Sequence, residues 1–476
     1  MMSRIKLTHM AVIAALLPGC ALIGPDYKRP ENNVPAKYSE ADSAQGQTEA
    51  AISSTWWELY QDPTLNELVA KALKNNTDMK VAAARVEEAD AYLREVGAAL
   101  FPQINLDSSA SRSRISQLGA TPLPAGINPI RENYNIRLGT SFELDFWGKL
   151  RRAKESARAQ ALSTRYAKDT VGLSLEGLVA SNYLLLRSLE AQIQVSNDSL
   201  RSRAESLSLT KRRLDGGVAS ALDVNQAEVA NSNLIAQVAD LVQQRAIVEH
   251  QLAVLTGDLD LKVAAGNLDS LPIPPVPPTG LPSSLLEARP DVRQAEQSMV
   301  AANANIGVAK AALFPTITLT ANYGGESAEL GDVLKSAARI WSGGLGLNLP
   351  IFDAGRLSAR VDQATAQQKQ TLASYEGTIQ TAFKEVNDAL VTVRQSAERE
   401  AALKNSKESA QKALQIAENR YKSGYSGYLD VLDSQRVYND AALAFIQSRQ
   451  SRLVATVDLF KSLGGGWESE TQQSQQ

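Results

Sequence analysis

The chain has 476 residues, and its 49 lysine and arginine residues against 52 aspartate and glutamate residues give a net charge of −3. This balance lacks the basic surplus that nucleic-acid binding requires. Two histidines, His9 and His250, and one cysteine, Cys20, argue against a histidine-based metal site, a zinc cluster, a disulfide and a Ser-His-Asp triad. An enzyme, including an envelope hydrolase, is therefore disfavoured, and we expect no cofactor.

The amino terminus has the pattern of an export signal. Arg4 and Lys6 precede an apolar stretch that ends shortly before Cys20. The run Leu-Pro-Gly-Cys resembles a bacterial lipobox, in which the cysteine thiol receives a diacylglycerol before the signal is removed. We therefore expect a lipoprotein signal peptide over 1–19, lipid attachment at Cys20, and a segment over 20–66 that packs on the helices. An incidental cysteine after an ordinary signal peptide is the alternative.

The rest of the chain is an internal duplication. Residues 78–102 match residues 291–315, and both copies end in Ala-Leu-Phe-Pro. Residues 148–257 match the residues 207 positions later without a gap. These matches predict a first repeat, an extended proline-rich linker, a second repeat and a polar, disordered tail. The predicted boundaries are 67–257, 258–282, 283–464 and 465–476.

Each repeat is predicted to contain a helix, two strands, a very long helix and a shorter helix. At 1.5 Å per residue a long helix extends about 100 Å and a shorter helix about 50 Å, so two short helices end to end match one long helix. Apolar residues in the second long helix recur every three or four positions, as in a left-handed coiled coil. They are Leu372, Tyr375, Ile379, Ala382, Val386, Ala389 and Val393. The predicted bounds are 67–99, 102–115, 133–146, 150–214 and 221–255 in the first repeat, and 315–325, 340–351, 357–422 and 428–462 in the second.

The predicted strands alternate apolar and polar residues. Tyr134, Ile136 and Leu138 share one face of the second strand, and Asn135 and Arg137 share the other. Outer membrane barrels alternate in this way, and so do half-buried soluble sheets. Outside the leader no run reaches the roughly 18 apolar residues of a membrane helix. A membrane crossing would therefore use strands, and since four strands cannot close a barrel, three chains would share twelve strands around a pore, whereas two would give eight strands with a filled interior.

Three motifs carry a resemblance to a known family: the residues that follow Cys20, the duplicated Ala-Leu-Phe-Pro, and the stretch 421–433, which begins Tyr-Lys-Ser-Gly and ends Leu-Asp-Val-Leu-Asp. With them the chain resembles the TolC-type outer membrane efflux factors, specifically the lipoprotein branch. The resemblance implies an α+β membrane protein with a long coiled-coil helical tunnel and four strands per chain in a shared twelve-stranded trimeric barrel. It also implies a homotrimer that binds a periplasmic membrane-fusion adaptor and an inner-membrane pump of the resistance-nodulation-division type.

The function implied by this resemblance is a passive, gated exit duct of a tripartite efflux pump for drugs or other toxic compounds. Such a protein would be lipid-anchored and barrel-inserted in the outer membrane and would extend into the periplasm. Ala21, directly after the expected lipid cysteine, resembles the sorting signal of outer membrane lipoproteins. The alternative is a periplasmic coiled-coil structural lipoprotein without a channel. The sequence identifies neither the cargo nor the cognate pump.

The resemblance places the gate at the turn between each long helix and the next short helix. The matching residues are Asp223 in the first repeat and Tyr421, Asp430 and Asp433 in the second. In a trimer, Asp430 and Asp433 would form rings of three carboxylates that favour cations. Ser426 stands where some family members have an arginine, which argues against a gate locked by an arginine contact.

Helix capping is an alternative role for two of these residues. Asp223 follows Ser220 at the spacing of a capping box, and the helix dipole favours an aspartate in the first turn, so Asp223 and Asp430 are equally explained as caps. Capping does not account for Asp433 or Tyr421, whose counterparts in the first repeat are a glutamine and a leucine.

Overall fold

The computed structural model describes residues 22–31, 34–35, 37–40, 53–118, 124, 126–276 and 285–466. The expected signal peptide, Cys20 and nearly all of the predicted tail lie outside these residues. The main elements are α1 (Pro63–Asn75), α2 (Thr77–Ala98), β1 (Gln103–Arg114), β2 (Ile130–Leu144), α3 (Lys149–Asp215), α4 (Ala221–Thr256), α5 (Pro290–Ala311), β3 (Thr316–Ser327), β4 (Arg339–Asn348), α6 (Arg356–Lys422) and α7 (Tyr428–Ser462). Their order repeats in the two halves of the chain, as the internal duplication predicts.

The chain divides into two compact units. Unit 1 comprises the described residues up to Glu31 together with Val86–Thr164 and Ala295–Tyr375. Unit 2 comprises the remaining described residues. The four strands and the first parts of α3 and α6 belong to unit 1, whereas α1, α4 and α7 belong to unit 2. None of the helices in the described chain combines the length and the apolarity that a bilayer crossing requires.

The four strands of unit 1 form one antiparallel sheet in the order β1-β2-β3-β4. Directly opposed residues give apolar rows on one face and polar rows on the other, because side chains alternate along a strand. One apolar row is Leu106, Leu138, Tyr323 and Trp341, and the neighbouring polar row is Asn105, Gly139, Asn322 and Ser342. The residues of the apolar row are between 50% and 82% exposed, so no described residue covers this face. The two edge strands, β1 and β4, each pair with one described strand only.

Unit 2 has an apolar core between its helices. In α4 five of the buried apolar residues recur at every seventh position, as in a coiled-coil seam. They are Ala227, Leu234, Leu241, Val248 and Leu255. The segment before α1 joins the same core, where Trp56 stacks on Phe460 with ring centroids 5.6 Å apart. The Tyr60 hydroxyl lies 2.6 Å from Thr456 Oγ1 and donates to the Leu453 carbonyl over 3.1 Å. This segment therefore packs on the helices, as expected for residues before 67.

A break interrupts the helix that the sequence predicts over 67–99, so that prediction is wrong. The Asn76 side chain accepts the Asp78 N–H over 2.8 Å and donates to the Leu255 carbonyl over 3.0 Å. One side chain thus caps the start of α2 and supplies a hydrogen bond to a carbonyl at the end of α4. The last carbonyls of a helix need such a partner because they have none within the helix. The second repeat uses Arg289 at the equivalent joint, where Nη1 donates to the Ser462 carbonyl over 3.0 Å.

The first part of the predicted linker is bound along the helices of unit 2. We expected an extended tether over 258–282, and residues 258–276 do lack regular structure apart from one 3-10 turn. Four of their apolar side chains are nevertheless buried: Leu261, Val263, Leu268 and Leu271. Arg187 donates to the Ala264 carbonyl over 2.7 Å, and Arg449 donates to the Leu271 carbonyl over 2.9 Å. Arginines from the helices thus supply the hydrogen bonds that the segment does not make within itself.

Candidate gate at the helical turns

Two equivalent turns join the long helices to the short ones. Gly217, after α3, and Gly424, after α6, have φ values of 74° and 80°. This left-handed conformation ends a helix and favours glycine. In each turn the next residue closes the helix end by donating its N–H to a carbonyl five residues back. These bonds are Val218 to Arg213 and Tyr425 to Arg420, both 2.8 Å.

Two tyrosines pack together behind the second turn. Tyr421, the last but one residue of α6, is 6% exposed, and Tyr428, the first residue of α7, is 4% exposed. Their ring centroids lie 5.6 Å apart with an interplanar angle of 57°. Ala227, Ala417 and Val431 complete the buried cluster. Burial and the neighbouring Tyr421 raise the pKa of the Tyr428 hydroxyl to about 12.

Arg213, at the end of α3, holds Tyr421 from the first repeat. Its guanidinium lies 4.5 Å from the centre of the Tyr421 ring, and its Nη1 donates to the Tyr421 carbonyl over 3.0 Å. The Tyr421 hydroxyl lies 3.3 Å from Thr210 Oγ1, also on α3. The leucine that occupies the Tyr421 position in the first repeat offers neither the polar tip nor the π face used in these contacts.

The two aspartates that follow the turns have different roles. Asp223 forms a full capping box, because it accepts the Ser220 N–H over 3.0 Å while Ser220 Oγ accepts the Asp223 N–H over 3.2 Å. In the second repeat the N-cap residue is Gly427, which has no side chain to complete such a box. The capping explanation therefore holds for Asp223, and Asp430 has no reciprocal partner of this kind.

Asp430 and Asp433 both lie on the exposed surface of the first turns of α7. Asp433 pairs with Arg436 over 2.8 Å, and Arg436 also approaches Asp440 at 3.6 Å. The structure thus places Tyr421 in a buried cluster and the two aspartates on the surface beyond it. Sequence reasoning missed Tyr428, although its counterpart in the first repeat is an alanine and the comparison that singled out Tyr421 applies to it equally.

The two turns also carry matching exposed apolar residues. Val218 and Leu222 are 71% and 64% exposed, and Tyr425 and Leu429, at the equivalent positions 207 residues later, are 79% and 61% exposed. Large apolar side chains at a helix turn are expected to withdraw from water. These four residues are exposed at the same positions in both repeats. We call these four residues the turn patch.

In unit 1, the first described residues after Cys20 in the sequence lie against the junction of β2 and α3. A Cβ atom on Gly148, which has a φ of 76°, would come within 2.6 Å of the Leu22 side chain. Ile23 donates its N–H to the Trp147 carbonyl over 3.2 Å. Arg152, whose side chain is 3% exposed, binds Asp26 over 2.6 Å. The residues that follow Cys20 are therefore fixed at the end of the sheet from which the helices begin.

Comparison with known proteins agrees with the arrangement of paired repeats, a four-stranded sheet and two long helices. The outer membrane channel OprN is 32% identical, with a TM-score of 0.87 over 94% of this chain and all of that chain. The Campylobacter jejuni CmeC outer membrane channel is 25% identical, with a TM-score of 0.90 over 95% of this chain and 97% of that chain. The fold is thus that of an outer membrane channel.

Residues 68–258 and 281–465 match the outer membrane efflux protein family, and the chain belongs to that family. The probable efflux pump outer membrane protein TtgC of Pseudomonas putida is 37% identical over 99% of this chain and 98% of its own length. The cation efflux system protein CusC of Escherichia coli is 33% identical over 98% of this chain and its full length. The protein is the outer membrane channel of a tripartite efflux pump, and this channel extends into the periplasm. Its relatives OprN and CmeC are outer membrane channels as well.

Proposed function

We propose that three copies of the chain form a gated exit duct in which each contributes β1–β4 to one twelve-stranded barrel. The observation that carries this proposal is the sheet itself. Its apolar row is at least half exposed, and among the described strands each edge strand has a partner on one side only. A soluble half-buried sheet would cover its apolar face with its own chain. Lipid on the apolar face and neighbouring copies at the two edges satisfy both features together.

The turn patch supports docking of a periplasmic adaptor, which would connect the duct to an inner-membrane pump of the resistance-nodulation-division type. Relatives are named as outer membrane proteins of toluene, antibiotic or solvent efflux pumps, and one as a cation efflux system protein. For this chain we propose drugs or other toxic compounds as cargo. The energy would come from the pump, because a passive duct opens and closes without chemistry of its own.

In this proposal two of the gate residues form the constriction, and the other two fix the helical turns beside it. Asp430 and Asp433 would form threefold rings of carboxylates that attract cations, while Asp223 would fix the first turn as a cap. Tyr421 would hold the second turn to α3 through Arg213. The Ser426 hydroxyl is buried without a hydrogen-bond partner among the described residues, which favours a gate without a contact from this position.

Lipid attachment at Cys20 fits the same arrangement. Leu22, two positions after Cys20 in the sequence, packs against the junction at Gly148. If the sheet lies in the membrane, acyl chains on Cys20 would enter the same leaflet as the helix-proximal end of the sheet. Mass spectrometry of the mature amino terminus tests this, and an unmodified cysteine would contradict it.

Planar-bilayer conductance of the purified protein in detergent, with its mass measured by light scattering, tests the duct. We expect small, cation-preferring channels from a trimer. Asp433→Ala should change the conductance and weaken the cation preference, because it removes one carboxylate ring. Asp440→Ala is the matched control, since it also removes a partner of Arg436 but lies two helical turns further from the gate. Identical behaviour of both variants and the original protein would refute the role of Asp433, and a monomer without channels would favour the scaffold alternative.

A further inference from the structure

An ion pair of the first repeat has changed into a different contact in the second. In the first repeat Lys211 Nζ lies 2.7 Å from Glu228 Oε1, so α3 and α4 of the same repeat are joined directly. The equivalent positions 207 residues later are Glu418 on α6 and Gln435 on α7. A glutamate opposite a glutamine cannot form an ion pair, so the second repeat lacks this link between its own two helices.

Both altered side chains turn to the long helix of the first repeat instead. Gln435 is 3% exposed, and its Nε2 donates to Ser206 Oγ over 3.1 Å and to Ser202 Oγ over 3.3 Å. Ser202 Oγ in turn donates to Glu418 Oε1 over 3.2 Å. A relay of hydrogen bonds therefore runs from α7 through α3 to α6.

We propose that Gln435 is a positioning residue for the gate: through Ser202 and Ser206 it holds α6 and α7 of the second repeat against α3 of the first repeat in the closed state. The inference rests on the proposed gate. The first repeat is clamped within itself by an ion pair, whereas the second repeat is clamped to the first by hydrogen bonds between neutral groups and one charged acceptor. The ion pair of the first repeat is about half exposed and contributes little to stability, whereas displacement of α7 breaks the bonds of the second repeat without separating opposite charges.

The relay is partly enclosed: Gln435 is buried, and Ser202, Ser206 and Glu418 are half-buried. The Gln435 amide nitrogen keeps both hydroxyl acceptors only while α3 and α7 stay in register, whereas its Oε1 has no hydrogen-bond partner among the described residues. A shift of α7 along α3 separates Gln435 from both serines at once. The relay therefore responds to helix displacement in an all-or-none manner, as a latch for a two-state gate requires.

Two variants remove the relay in different ways. Gln435→Leu keeps the approximate length of the side chain and removes its donor. Ser202→Ala with Ser206→Ala removes only two hydroxyls and keeps the amide. We expect each to raise channel conductance several-fold in planar bilayers, and the combination to act no more strongly than either alone, because all three residues belong to one contact. The serine variant keeps the test valid if the leucine variant fails to assemble.

A swap between the repeats supplies the matched control. Glu418→Lys with Gln435→Glu installs the ion pair of the first repeat in the second, which joins α6 to α7 and frees both from α3. It should open the channel while the trimer stays intact. Lys211→Glu with Glu228→Gln makes the reciprocal change in the first repeat, leaves the relay untouched, and should conduct like the original protein.

Each outcome decides between the alternatives. If the relay variants conduct like the original protein, or if the reciprocal change in the first repeat opens the channel equally, Gln435 does not hold the gate. If Asp433→Ala alters conductance while the relay variants do not, the gate stands and only the role of Gln435 falls. If no variant and no preparation of the trimer conducts, the proposed duct itself fails.

Discussion

Glu176 lies in α3, with its partly buried carboxyl group against the core of unit 2. Trp56 Nε1 donates to its Oε2 over 3.3 Å, and Trp56 itself is fully buried. Burial raises the pKa of the Glu176 carboxyl from 4.5 to about 7, and the hydrogen bond from Trp56 opposes this only partly. The equivalent position of the second repeat holds Phe383, which stacks on Tyr38 at 5.3 Å. The fold thus accepts a side chain without charge at this site.

A raised carboxyl pKa means that the folded chain binds the proton more tightly than the unfolded chain. The contribution to stability is therefore fully present below pH 4.5 and is lost as the pH rises through about 7. A change in pKa from 4.5 to about 7 corresponds to about 3 kcal/mol of unfolding free energy. Glu176→Gln keeps an acceptor for Trp56 and cannot ionise, so it should stabilise the protein by up to about 3 kcal/mol at about pH 8 and by almost nothing at about pH 4.

Denaturant unfolding of the purified protein in detergent, followed at both pH values, measures this difference. Glu408→Gln is the control, because Glu408 is exposed on α6 and its neutralisation should have the same small effect at both pH values. A gain from Glu176→Gln that does not depend on pH would refute the reasoning. So would a loss of stability at about pH 8, because it would show that the native state uses the charged carboxylate.

Three further substitutions test the joint at Arg289 and two of the glycines. Arg289→Met removes the donor to the Ser462 carbonyl and the ion-pair partner of Asp291 and Glu385. We therefore expect the free energy of unfolding to fall by about 2–3 kcal/mol in denaturant unfolding. An unchanged unfolding midpoint would contradict this. Gly464→Ala should prevent stable folding, because its Cβ would lie 2.1 Å from the Ala288 carbonyl oxygen at a φ of 94°. Gly424→Ala, at a φ of 80° in open space, should cost only about 1–2 kcal/mol, and equal losses for the two glycines would contradict the reasoning.

Periodic patterns in the sequence predict much of this fold. The helix predicted over 428–462 is found at Tyr428–Ser462, and the seam of the second long helix is confirmed by Tyr375, Ala382 and Val386, which are fully buried. The alternating strands and their number are found as well. These features depend on the spacing of neighbouring residues in the chain, which is the information that a sequence states directly.

Contacts between distant residues account for what the sequence did not predict. The break at Asn76 depends on a carbonyl 179 residues away, and the fixation of Tyr421 depends on Arg213, 208 residues away. A local pattern does not state which distant groups need a partner. The bound part of the linker is a similar case, because it is held by arginines from two helices. The roles of Tyr421, Asp430 and Asp433 in gating remain predictions, and Asp223 has a structural role as a cap.

The duplication provides a comparison within one chain, since equivalent positions of the two repeats have the same task in the fold. The buried seam of α4 consists of one alanine and four larger apolar residues, whereas the equivalent positions of α7 hold only small ones. They are Ser434, Ala441, Ser448, Ala455 and Ser462. α7 instead buries its larger apolar residues at other positions, among them Leu443, Ile446, Leu453, Val457 and Phe460. The missing N-cap side chain at Gly427 and the relay at Gln435 fall on the same helix. To this packing α7 adds the polar contacts of Gln435 to α3, and these are contacts that a gate can break and form again.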